Sequence, residues 1–141
     1  MANQIGFMVF APEFSTWNYP GLGDNYLMGI VFDYGDNPEE SEFNAPSYWT
    51  FSVIETLFDF IRSDISGIQE TYNAWGHSGG AQFLHRFALF IQNSRLGVGV
   101  CSNAGWYTFL NGADFPYGVK NPPILLNDAN VTNFLSIRAT R

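Results

Sequence analysis

Apolar residues in this chain fall into short blocks separated by polar, glycine-rich stretches, and the period inside each block changes along the sequence. Gly6-Phe7-Met8-Val9-Phe10 is an unbroken apolar run that stops at Ala11-Pro12, the pattern of a strand buried on both faces. Residues 13–46 lose any period and are rich in Gly, Asn, Asp and Pro, so a functional or irregular insertion is expected there. From Trp49 to Ile61 the apolar residues recur at 51, 54, 57/58 and 61. That spacing predicts an amphipathic helix, with Ser47 after Pro46 as its cap.

The second half repeats a simpler alternation. Glu70-Thr71-Tyr72-Asn73-Ala74-Trp75 reads as a short strand, followed by Gly76-His77-Ser78-Gly79-Gly80. The next segment, residues 81–91, is apolar at 83, 84, 87, 88, 90 and 91 and leaves a narrow polar stripe at Gln82, His85 and Arg86. A helix this apolar is expected to be buried against a sheet. Residues 96–102 read as a further buried strand, 103–123 as a turn-rich loop, 127–134 as a short helix and 134–139 as a last strand. Strand, helix, strand, helix, strand predicts an α/β fold whose mostly parallel sheet is joined by right-handed crossovers. No repeat or linker divides the chain, so residues 1–141 are expected to form a single domain.

The residues 76–80 carry the chemistry. They spell Gly-x-Ser-x-Gly between a strand and a helix, where a sharp turn exposes the serine hydroxyl and leaves backbone N–H groups of the helix start close by. Ser78 is therefore the candidate nucleophile and the Gly79 N–H a candidate oxyanion donor. Serine needs a base within ~3 Å and an acid to orient that base. His85 lies seven residues into the following helix, ~10 Å along its axis and moving away, so it reads as a polar-stripe or interface residue. His77 is expected to pack or hydrogen-bond near the site. Asp114 follows the next strand and is a candidate acid, while Asp128 starts a helix and reads as its cap or N-terminal charge.

Composition narrows the function classes. The net charge of −7 is uneven: residues 1–78 hold eleven acids against Arg62 alone, and residues 79–141 hold two acids and five Lys or Arg. No basic run supports nucleic-acid binding, no window is apolar enough for a membrane span, and no secretory pattern opens the chain, which places it by default in the cytoplasm. The single cysteine, Cys101, is expected to be a buried core thiol. The acidic segment 33–42 lacks calcium-loop spacing and reads as solvated, so no metal or other cofactor is expected. Trp17, Tyr19, Tyr26, Trp106 and Tyr107 could line an acyl pocket or belong to the core.

Several stretches together resemble one family. Phe10-Ala11-Pro12-Glu13-Phe14, Asn25-Tyr26-Leu27-Met28-Gly29, Trp49-Thr50-Phe51, the block from Gly76 to Arg86, Asn103-Ala104-Gly105-Trp106-Tyr107 and Phe115-Pro116-Tyr117-Gly118 are similar to the bacterial poly(3-hydroxybutyrate)-depolymerase-like esterases of the α/β-hydrolase superfamily. The resemblance implies a three-layer α/β-hydrolase-type fold, with helices on both sheet faces, and a Ser-Asp-His triad acting on small or polymeric esters. Ser78 matches the nucleophile and Gly79 the residue after it, with His77, Trp106 and Tyr107 as binding candidates. Downstream of Ser78 the chain offers only His85, Asp114 and Asp128 for the histidine and acid, and it reads as the incomplete middle of a longer hydrolase lacking the catalytic Asp and His, inactive alone. A non-catalytic binding module on a degenerate hydrolase scaffold is the alternative. Self-association through open sheet edges is expected of such a chain.

Overall fold

The computed structural model describes residues 6–32, 43–135 and 138–140. Three helices and three strands follow in the order α1 (Ser52–Asp64), β1 (Tyr72–His77), α2 (Gly79–Phe90), β2 (Leu96–Ser102), α3 (Asp128–Leu135) and β3 (Arg138–Thr140). A π-helical turn at Leu22–Leu27 and a 3-10 turn at Pro46–Tyr48 precede α1. The strands form one parallel sheet in the order β1-β2-β3, with α2 and α3 as crossovers. This is the α/β architecture that the alternating pattern predicts.

α2 is the hub. Every residue from Ala81 to Phe90 is buried, as its nearly continuous apolar sequence requires. Its aromatic side packs Phe83 against Phe51 (centroids 4.9 Å apart) and Phe90 against Trp49 (5.9 Å) and Phe115 (5.5 Å). Gly29, at φ +66°, lets the Phe51 ring close on the backbone; a Cβ there would sit 2.7 Å from Cδ2 of that ring. Cys101 is wholly buried, and burial pushes its thiol pKa up to about 12, as expected of a core residue.

α1 is tied to the strand starts by polar contacts. Arg95 binds Glu55 at 2.8 Å and Asp59 at 2.5 Å, its guanidinium lies 4.6 Å from the Phe58 ring centroid, and Tyr72 donates to the same Glu55 at 2.5 Å. Tyr72 and Gly76 share one face of β1, and α1 and α2 both pack on that face. The opposite face, with Asn73, Trp75 and His77, is open: Trp75 is 68% exposed. Among the described residues no helix covers it.

Several expectations need correction. Phe7 to Phe10 form no strand and are each at least half exposed, because no described strand offers them a ladder. Ser47 does not cap α1; it lies in the 3-10 turn, and the helix begins later, with Ser52 Oγ donating to the Trp49 carbonyl at 2.7 Å. The side chain that caps α3 is Asn127, which accepts the Asn130 N–H at 3.2 Å, and Asp128 supplies the first-turn charge. The last strand starts only at Arg138, α3 having run on to Leu135. The acidic segment 33–42 lies outside the described residues.

Candidate active site

The turn after β1 is sharp for a local reason. Ser78 has φ +52° and ψ −114°, a conformation costly for a residue with a side chain. It is held from both sides. The Ser78 N–H donates to the Ser102 carbonyl at 2.9 Å, extending the β1–β2 ladder, and the Ser78 carbonyl accepts from the N–H groups of Ala81 and Gln82 at 3.1 Å each. Gly76 must lack a Cβ, which would collide with the Gly80 carbonyl and lie 2.8 Å from the Ala81 nitrogen. The result is an exposed Ser78 at the start of α2, with the N–H groups of Gly79 and Gly80 unpaired among the described residues. Such N–H groups at a helix start favour negative charge.

The π-helical turn lies against this start. A Cβ on Gly79 would stand 2.9 Å from Leu27 Cδ2 and 3.6 Å from Tyr26 Cε1, and one on Gly80 would stand 3.4 Å from the Tyr26 hydroxyl. Tyr26 is half-buried, stacked on Phe83 at 5.2 Å and tilted against Phe14 at 5.3 Å. Its burial raises the phenol pKa.

The polar stripe of α2 does not face solvent; Gln82, His85 and Arg86 are all buried. His85 donates from Nδ1 to the Ala81 carbonyl (2.8 Å) and accepts the Thr108 N–H at Nε2 (3.0 Å), which assigns the Nδ1–H tautomer by its partners. Burial, with Arg86 adjacent, pushes its pKa down to about 3. Arg86 donates to the carbonyls of Leu27 (2.9 Å) and Gln82 (3.1 Å) and to Thr108 Oγ1 (3.1 Å). Its Nη2 has no hydrogen-bond partner among the described residues, but Trp106 covers the guanidinium at 4.0 Å. Tyr107 packs its ring on His85 at 5.1 Å. The stripe thus clasps the turn before α1 and the loop after β2.

The geometry sorts the sequence candidates. Ser78 and the Gly79 N–H come together at the turn between β1 and α2. Trp106 and Tyr107 are engaged by Arg86 and His85. His77 follows Trp75 onto the open sheet face and stacks on it at 6.2 Å. His85, with both nitrogens occupied, is no base for Ser78. Asp114 is exposed, pairs with Lys120 at 3.0 Å, and neighbours Phe115, which packs on Phe90 at the far end of α2 from Ser78. Missed by sequence reasoning were the Arg86–Thr108 clasp and the seat of Tyr26. A lone arginine in so apolar a helix, with a Trp-Tyr pair downstream, was the available signal.

No protein-family model matches the chain, and no curated protein matches it. Solved structures do, two among them as follows. Poly(aspartic acid) hydrolase-1 from Sphingomonas sp. KT-1 is 33% identical, with a TM-score of 0.72 over 91% of this chain. The LpqC poly(3-hydroxybutyrate) depolymerase from Bordetella parapertussis is 26% identical, with a TM-score of 0.70 over the same share. This is an α/β-hydrolase-type chain. The match covers 47% of the first structure and 43% of the second, so the chain spans less than half the length of either. Among the described residues no helix is long and apolar enough to cross a membrane, and no three or more His, Cys, Asp or Glu gather as a metal site.

Proposed function

We propose that Ser78 is the nucleophile of a serine hydrolase that cleaves carboxylic esters through an acyl-enzyme. The observation that carries the reading is the left-handed, exposed Ser78 beside two unpaired helix-start N–H groups. In this reading Ser78 Oγ attacks the acyl carbon while its proton passes to a base. The Gly79 N–H holds the developing oxyanion, the alcohol leaves with the proton, and water releases the acid. Similarity to a depolymerase of a polyester supports an ester substrate.

Neither of the two histidines in the sequence is placed to serve Ser78. We propose that base and acid come from outside residues 1–141, consistent with a match to less than half of each similar structure. The same lack of a base favours, as second reading, a non-catalytic binding module. Nitrophenol release from short acyl esters separates them. The product of the whole reading frame is expected to turn over, its Ser78→Ala variant to lose at least about 10³-fold of the rate, and residues 1–141 alone to be inert. Turnover that survives S78A overturns the nucleophile assignment. A whole-frame protein inert to esters supports the module.

A further inference from the structure

Two side-chain atoms of α2 are buried with no hydrogen-bond partner among the described residues: Gln82 Oε1 and Arg86 Nη2. Gln82 is 6% exposed and Arg86 wholly buried. A buried polar atom without a partner is costly, and more so when it belongs to a charged group. The atoms around these two are well served. Arg86 Nη1 and Nε and both ring nitrogens of His85 are all engaged by protein groups. The two orphans therefore mark one place where the clasp has a further member.

The two side chains share their surroundings. Positions 82 and 86 are neighbours on one stripe of α2. The guanidinium bends back over that turn, since Nη1 donates to the Gln82 carbonyl at 3.1 Å. One loop lies over both: Gln82 Nε2 stands 3.0 Å from the Cβ position of Gly105, and the Trp106 ring lies 4.0 Å from the Arg86 guanidinium carbon. A side chain at 105 would press on the amide, and glycine keeps that space open. Polarity then selects the ligand. Nη2 can only donate and Oε1 can only accept. An anion suits the first and is repelled by the second, and a cation does the reverse. The ligand must accept from one atom and donate to the other, and it must be small enough for a place with almost no accessible surface. Water meets each condition, and these two partners fall within the roughly two to four hydrogen bonds that a buried water makes.

We propose that a single buried water molecule belongs to the clasp, accepting a hydrogen bond from Arg86 Nη2 and donating one to Gln82 Oε1 beneath Gly105 and Trp106. It joins the guanidinium that anchors Leu27 and Thr108 to the first turn of α2, where the Gln82 N–H holds the Ser78 carbonyl at 3.1 Å. The water has this place whether or not Ser78 is a nucleophile.

A crystal structure of the product of the whole reading frame, at a resolution that orders waters, tests this. One spherical density peak within about 3.2 Å of both Arg86 Nη2 and Gln82 Oε1 is expected. In solution, oxygen-17 relaxation dispersion counts the long-lived waters. Gln82→Met keeps the length of the side chain and removes the acceptor, so it should lose the peak and one long-lived water. A direct bond between Gln82 and Arg86 overturns the inference. So does a protein group from outside residues 1–141 on Nη2, or an anion there with the Gln82 amide turned to donate. A peak and a water count unchanged in Q82M also overturn it, because Gln82 would then not hold the molecule. Should Q82M fold poorly, the parent crystal structure decides alone: a water on both atoms upholds the site, and no water on both refutes it.

Discussion

At the scale of single residues, the sharp turn at 76–80 demands different things of glycines that look alike in the sequence. A methyl on Gly76 meets backbone, the Gly80 carbonyl and the Ala81 nitrogen, neither of which can swing aside. A methyl on Gly80 meets only the Tyr26 hydroxyl, at 3.4 Å. Gly76→Ala is therefore expected to cost at least about 2 kcal/mol, while Gly80→Ala stays within about 1 kcal/mol, helped by the better helix propensity of alanine. Urea unfolding of both variants checks this, and equal costs would mean that the turn relaxes around either methyl. The sharp turn at residues 76–80 was legible because its requirement is local: strand, glycine, serine, glycine and helix are contiguous. Tyr26 could be named from sequence only as one of several aromatics. What distinguishes it is a contact with Gly79 and Gly80, distant in sequence, that no period encodes.

At the scale of elements, the helical period of α2 correctly predicted its apolar faces and left open what the stripe between them meets. Gln82, His85 and Arg86 follow the spacing of a solvent face, yet the loop after β2 folds over them and makes that face an interior one. Thr108 is the pivot. Its hydroxyl donates to the Pro116 carbonyl at 2.7 Å and accepts from Arg86 Nε at 3.1 Å, while its N–H reaches His85. Thr108→Val keeps the shape and removes the hydroxyl, which leaves a buried carbonyl and a buried guanidinium N–H unpaired. A loss of about 2–4 kcal/mol is expected from such a double orphan, one of the two groups being charged. A urea midpoint unchanged by the substitution would show that the clasp does not depend on Thr108. The Gly6–Phe10 run failed as a strand for a related reason: apolar composition proposes a strand, but only a neighbouring strand can complete it.

At the scale of the whole molecule, the clasp links stability to pH. His85 joins α2 to the 103–117 loop, and it does so neutral, donating at Nδ1 and accepting at Nε2. Arg86 is the charged group beside it, and the rings of Tyr107 and Phe134 pack against the imidazole, so a proton on Nε2 would break the Thr108 bond and meet a buried cation. Its folded pKa, about 3, lies below its ordinary 6.5, so the unfolded chain binds the proton first as pH falls. The contribution is whole above pH 6.5 and is lost progressively toward pH 3. Between neutrality and pH 5 the loss amounts to about 2 kcal/mol, before the carboxylates titrate appreciably. Asp59, whose carboxyl Arg95 holds below the usual range, adds a further loss only at lower pH. Urea unfolding at pH 7 and pH 5 is expected to show this slope in the parent chain. His85→Gln, less stable at neutrality, should be nearly flat across the same interval because nothing buried is left to charge there. A parent that is equally stable at both values would mean that the imidazole reaches water when protonated, and that the clasp opens without unfolding the sheet beneath it.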